Sequence, residues 1–450
     1  MTISARVTSH ARLGRTIALA LFAILAAWLS APRVAAGVQI DCDATTDFCT
    51  GDPCVTQDLL EITVASCTLD FGAVDLVIGK PIEVPNNGTL SLTAETIEVR
   101  RPIKGLHLKS AAGDGADVTL TSTVGDILVK GRIDVSGKLS TGTILVDSAA
   151  DVILQNKLRS QARRKGAVAT GGTVTVQADG AVSSTKKGLI DVRGKKNTTG
   201  GGVVNLTAQS GMTLAAIIDG RGDPGGAINL LCPSCDVTAD KALRVEGWTE
   251  GGGGVVTGTA ASLTLRAVNA TGAAPGTGGT VSLAAGTVDV RKIKAKGRGV
   301  PGGTVGIVAG TAAIVQSVLV SGTSGGSVDI ASTTGSVAVE KVDGRGKGGA
   351  GATVTIDAAT DAVVEKRVDV RGAPGGEFRI SAGGNVELGS SGGSKFRATP
   401  DGIIEGLAGG DLTAIGKFEA GASGCIGLSA TGVLDTSLAT FDVALSASCP

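Results

Sequence analysis

From Ile190 onward an aliphatic residue recurs about every 25 positions, each time with a glycine four residues later. The aliphatic anchors are Ile190, Ile218, Leu243, Val268, Ile293, Val318, Val342 and Val368. Their glycines are Gly194, Gly222, Gly247, Gly272, Gly297, Gly322, Gly346 and Gly372. A period of this length predicts a solenoid, in which each repeat is one coil that buries its apolar face only by stacking on its neighbours.

Within a repeat the apolar residues alternate with polar ones, the period-2 mark of half-buried strands. Val342–Gly346, Thr353–Asp357 and Asp361–Glu365 read as three short strands, and the next unit repeats them at Val368–Gly372, Glu377–Ile380 and Asn385–Leu388. Glycine pairs, among them Gly225-Gly226, Gly278-Gly279, Gly302-Gly303 and Gly348-Gly349, stand between the first and second strands, where glycine permits positive φ and a tight corner. Three strands and three corners per repeat describe one turn of a parallel β-helix. The pattern extends less regularly through Ile82, Leu106, Ile133 and Leu158 at one end and Phe396, Phe418 and Phe441 at the other. The expectation is an all-β parallel β-helix of about 13–15 coils with a disulfide-rich N-terminal cap.

Composition agrees with a narrow lumen. Aromatic residues are 2% of the chain and tyrosine is absent, so the filling must come from Val, Ile, Leu and Ala. Glycine numbers 70 but follows no Gly-X-Y period, which excludes collagen.

Three segments follow. Residues 1–36 carry Arg6, Arg12 and Arg15, an apolar run from Thr16 to Leu29, and Val34-Ala35-Ala36, the layout of a secretory signal peptide. Residues 37–80 depart from the repeat and hold Cys42, Cys49, Cys54 and Cys67, which suggests a cap. Residues 81–450 form the β-helix. All eight cysteines lie beyond the signal, and in an exported chain an even count reads as disulfides. Cys425 and Cys449 occupy nearly equivalent places in successive coils and are expected to pair. Cys232 is expected to pair with Cys235, and the four N-terminal cysteines among themselves.

The tandem Gly-Gly-x-Val-x-aliphatic and aliphatic-x-x-x-Gly phrases resemble bacterial surface β-helices of the filamentous-haemagglutinin and polymorphic-outer-membrane-protein kind. The resemblance covers residues 81–450. It implies an exported protein, extracellular, on the outer cell surface or periplasmic, with an adhesive or structural role.

Two constellations are candidate sites. Positions one and three after each anchor are expected to face solvent and carry a charged ladder: Asp191/Arg193, Asp219/Arg221, Asp343/Arg345 and Asp369/Arg371. Stacked aspartates of this kind are the one place where Ca²⁺ binding or two-carboxylate glycoside hydrolysis could be built, and a solvated face neutralised by arginine is the plainer reading. The second constellation is basic: Lys157, Arg159, Arg163, Arg164, Lys165, Lys186, Lys187, Arg193, Lys195 and Lys196, opposed only by Asp179 and Asp191. It coincides with a 32-residue step from Leu158 to Ile190, which predicts a loop over residues 159–169. Such a patch suits a polyanion such as acidic polysaccharide or lipopolysaccharide. Nucleic acid fits less well, because no aromatic residues interleave to stack bases. Arg291–Arg298 is a weaker echo.

Catalysis has little to stand on. Beyond the signal segment His107 is the only histidine and Trp248 the only tryptophan. Cys232-Pro-Ser-Cys235 lacks the partners of a zinc site. The expectation is a non-catalytic, exported structural or adhesive protein. The alternative is a protein that binds or degrades acidic polysaccharide on the coil faces between Lys157 and Arg298.

Overall fold

Period-2 burial runs through the coils up to Leu412–Glu419, where strands pair in parallel with their equivalents in neighbouring coils, and fades in Leu434–Phe441 at the C-terminal end. The computed structural model describes residues 38–42, 45, 48–105, 113–163, 170–195 and 199–449. The chain divides into Met1–Val38 and Gln39–Pro450, and the second unit is the solenoid. The signal segment, Leu106, His107, Arg164, Lys165 and Lys196 lie outside the described residues.

The molecule is an all-β parallel solenoid of about 15 turns. Each turn contributes to three ladders. In one coil these are Thr173–Ala178, Ala181–Ser184 and Ile190–Asp191, which pair with Val203–Ala208, Gly211–Leu214 and Ile218–Asp219 in the next. The anchors stack in one file, Ile190 on Ile218, Leu243, Val268, Ile293, Val318, Val342 and Val368, and all are buried. Toward the N-terminus the file runs through Leu158, Ile133, Ile103, Ile82 and Leu60. Ile103 therefore takes the place expected for Leu106. The ladders also continue across residue 80, since Leu60 pairs with Ile82 and Ser66–Asp70 pairs with Thr89–Ala94. The boundary drawn there is not a break in the solenoid.

The expectation of three separate strands per coil holds as far as Asp219 and then changes. Ala227–Arg244 is one strand of 18 residues, bent at register shifts between Cys232/Asp236 and Ala239/Ala242. Val255–Asn269 and Thr304–Leu319 are continuous in the same way. Two of the three corners of such a coil are register shifts inside one strand. Coil length does not follow this change: Ile127 to Val152 takes 25 positions, Val152 to Val182 to Met212 takes 30 per coil, and Met212 to Val237 takes 25.

The long step from Leu158 to Ile190 does not form a loop as expected in its described part. Arg159 lies on the third ladder, Ala162 bridges Gly137, and Arg163 donates its backbone N–H to the Gly137 carbonyl. The extra residues are split between two corners. Leu158 to Thr173 spans 15 positions where Ile133 to Thr143 spans 10, and Ser184 to Ile190 spans six where Leu154 to Leu158 spans four.

The paired glycines serve a purpose other than the one expected. None of them has positive φ. A Cβ on Gly226, Gly254, Gly279, Gly303 or Gly326 would instead come within about 2 Å of a glycine carbonyl oxygen in the preceding coil. Glycine is required because backbones touch between coils. After Val342 this position is taken by Gly351-Ala352, so Gly348-Gly349 is not the equivalent pair; the Gly351 Cβ would meet the Val370 carbonyl at 1.6 Å.

Disulfides join Cys42 to Cys67, Cys49 to Cys54, Cys232 to Cys235 and Cys425 to Cys449. The first and last each link points about one coil apart, with Cα separations of 5.5 and 5.7 Å. Cys232–Cys235 closes the bulge at the first bend of its long strand. In the C-terminal coils Phe396, Phe418 and Phe441 replace aliphatic anchors, with centroids 4.6 and 5.2 Å apart, and Phe378 from the first ladder packs on Phe396 at 6.1 Å.

Candidate functional site

The position after each anchor is outward by strand alternation, yet four of the aspartates there are closed off from solvent and Asp343 is half-buried. Asp134, Asp191, Asp219 and Asp369 are all buried, and this corrects the expectation of a solvent-facing pair at Asp369. For Asp191, Asp219 and Asp369 the cause is the arginine two residues further on, whereas Asp134 is covered by Ser136 and Arg163. Arg193 folds back over Asp191 with Nε and Nη2 each donating at 2.9 Å. Arg221 does the same to Asp219, Arg345 to Asp343 and Arg371 to Asp369. These are two-pronged guanidinium–carboxylate pairs, the strongest ion-pair geometry available to side chains. Two of the forks also lean on the adjacent coil: Arg193 Nε lies 3.7 Å from Asp219, and Arg345 Nε 3.9 Å from Asp369.

Burial by itself would raise the Asp369 carboxyl, but hydrogen bonds from Arg371 and Arg367 outweigh it and hold the group below the ordinary carboxylate range. Asp134 is lowered too: desolvation opposes, while the Ser136 hydroxyl and the Arg163 charge prevail. The Arg221 guanidinium is raised, chiefly by its bond to Asp219. Arginines thus fill the interval between stacked carboxylates where a cation or an attacking water would have to sit. Among the described residues no group of three or more His, Cys, Asp or Glu is arranged to hold a metal ion.

This ladder absorbs part of the predicted basic patch. Arg163 lies 2.6 Å from Asp134, Arg159 lies 3.7 Å from Asp134 and 3.8 Å from Asp191, and Arg193 pairs with Asp191. Lys195 stands on the glycine-rich corner beyond it. Lys157, Lys186 and Lys187 are on a different corner, between the second and third ladders.

That corner carries a pattern the sequence reading did not isolate. In the 14 coils anchored from Ile82 to Phe418, the three positions before the anchor hold Lys80, Arg100, Arg101, Lys130, Arg132, Lys157, Lys187, Lys241, Arg266, Arg291, Lys292, Lys341, Lys366, Arg367, Lys395 and Lys417. The same positions hold only three acids: Asp240, Glu340 and Glu365. Only the Ile218 and Val318 coils lack a cation there, with Ala215-Ala216 and Gln316-Ser317 instead. Stacking aligns these residues into a basic file along the solenoid.

Its ends are partly neutralised. Glu98 pairs with Arg100 and Lys130, and Glu340 with Lys366. The middle is not. Among the described residues no ion pair reaches Lys157, Lys186, Lys187, Lys241, Arg266, Arg291 or Lys292, and Arg266 donates only to the Asp240 carbonyl at 3.4 Å. Three adjoining depressions lie along this stretch. The first runs from Asn156 and Lys157 past Lys186 to Lys241. The second, between Lys186 and Gln316, includes Lys241, Arg266 and Arg291, with Asp240 and Asp289 at its margin. The third runs from Arg266 to Lys341. Shared residues join the three into one groove.

No helix among the described residues is long and apolar enough to cross a membrane. No family model, curated protein or solved structure matches the chain.

Proposed function

We propose that the chain is an exported β-solenoid with a structural or adhesive role at the cell surface, acting by binding and not by catalysis. The observation that carries this reading is the segregation of charge. Beyond residue 36 the chain has 37 basic and 41 acidic residues, a net of −4. Its second-to-third-ladder corner nevertheless presents 16 cations against three anions. A net-acidic protein with one concentrated basic strip is built to attract a polyanion along that strip while staying soluble elsewhere. The aspartates that might have served acid–base chemistry are already committed to arginines. Export is supported by the leader-like residues 1–36 and by four disulfides, which persist in oxidising compartments.

Surface labelling of source cells with a membrane-impermeant reagent, followed by fractionation, tests location. The expected result is labelled protein with oxidised cysteines. Recovery in the cytoplasm with free thiols would refute export. Incubation of purified protein with polyuronate chains tests the second part, and a steady rise in cleaved ends would refute a purely binding role.

A further inference from the structure

The groove from Lys157 to Lys341 has the geometry of a site for one extended ligand. Its cations come from six of eight stacked coils, one or two per coil, so the charges fall at multiples of the spacing of stacked parallel strands, ~4.8 Å. Eight coils separate its ends inclusively, which sets a length of roughly 34 Å along the coil axis. The file is single, one corner wide. Phosphates of a duplex present two strands wound around an axis, so only one strand at a time would meet a single row. A single-stranded nucleic acid would need aromatic platforms for its bases, and no aromatic residue lines the groove. A membrane surface would favour a broad apolar rim, whereas the lining here is mainly charged and polar, with Asp240, Asp289 and Glu340 among the cations and only Leu189, Ile217 and Leu265 as larger aliphatic residues.

The lining favours a sugar chain. Between the cations stand Ala215, Thr264, Gln316 and Ser317, short side chains that leave room for rings and offer hydroxyl and amide partners. A linear glycan with a carboxylate on each unit, or each second unit, repeats its charge on the same scale as the coils. We infer that the Lys157–Lys341 groove binds a linear acidic polysaccharide of the polyuronate class, lying parallel to the solenoid axis. This inference rests on the reading of a surface-binding protein and adds the ligand class and the corner that takes it.

Polygalacturonate chains of graded length are the probe, with the full chain titrated at low and at physiological salt and neutral dextran as reference. Lys241→Glu combined with Arg291→Glu reverses two groove charges. Arg298→Glu combined with Lys347→Glu makes the same charge change on the glycine-rich corner, outside the groove. The groove pair is expected to weaken binding at least tenfold, and the control pair less than twofold. Affinity should rise with chain length until the groove is filled, and fall steeply with salt, since these contacts are exposed. Equal losses in both pairs would overturn the site, leaving only bulk charge. Binding of poly(dT) in preference to polygalacturonate would overturn the ligand class. If polygalacturonate fails to bind while the protein still attaches to cells, the ligand is wrong and the adhesive reading stands. Failure of both sinks the two together.

Discussion

At the scale of single residues, the aspartate–arginine forks decide how the solenoid responds to acid. Asp369 is held by Arg367 and Arg371, with Arg345 reaching from the coil before, and its carboxyl is depressed. A depressed folded-state pKa stabilises the fold above the unfolded value, about 3.9 for aspartate, and that contribution is lost as pH falls through the lower, folded value. Thermal midpoints should therefore hold from neutrality to about pH 5 and drop in stronger acid. Asp369→Asn should flatten that acid limb and cost about 1–3 kcal/mol at pH 7, less than a fully buried pair, because both arginines keep some solvent. Melts of the two proteins between pH 7 and pH 2 test this, and parallel curves would contradict it. Strand alternation made the outward direction of these aspartates legible in the sequence. Their burial was not, because it depends on an arginine two residues away choosing to fold inward over its own strand.

At the scale of elements, the anchors were the legible part. Eight aliphatic residues at a nearly constant period do stack in one file. Errors arose where corner length varies. Leu106 looked like an anchor by spacing, but the coil beginning at Ile103 is 30 residues long. The fusion of three strands into one from Ala227 is not legible in the sequence, since a bulge has no residue signature as plain as a glycine turn. The C-terminal coils combine two supports whose weights can be compared. Phe396 lies between Phe378 and Phe418 and is fully buried, so Phe396→Ala should cost about 3–5 kcal/mol. Replacing Cys425 and Cys449 by serine opens a loop of 24 residues and should cost about 3 kcal/mol in the chain-entropy picture. Hydrogen exchange separates them: the serine variant should lose protection mainly after residue 403, the Phe396 variant on both sides of its coil. Uniform loss along the chain in either case would contradict a nearest-neighbour solenoid.

For the whole molecule, stability is a sum over interfaces between coils, so a defect in the middle should divide it. Val268→Asp would place an unpaired charge in the lumen, where Val268 is 1% exposed. Denaturant unfolding of this variant is expected in two steps, with Trp248 fluorescence following only the damaged centre, whereas the parent's probes should coincide more closely. The basic corner belongs to this scale too, which is why a linear reading found only its densest part. Ten cations between Lys157 and Lys196 stand out as a run, yet three of them serve the aspartate forks. Lys241, Arg266 and Arg291 are 25 residues apart and look isolated until the coils stack them. Aligning the chain to its own anchors would have shown them. That alignment also exposes a division of labour in the backbone. Anchor to anchor, coils here range from 21 residues to 32, but hydrogen bonds between strands fix the step from one coil to the next. The corner is therefore a graduated scale whose marks stay evenly spaced however much chain is wound between them. Gaining or losing a coil would lengthen or shorten the scale by one mark without disturbing the others. In the proposed polymer-binding role, recognition would rest on measuring the repeat, and the reach could change in whole units while the gauge did not.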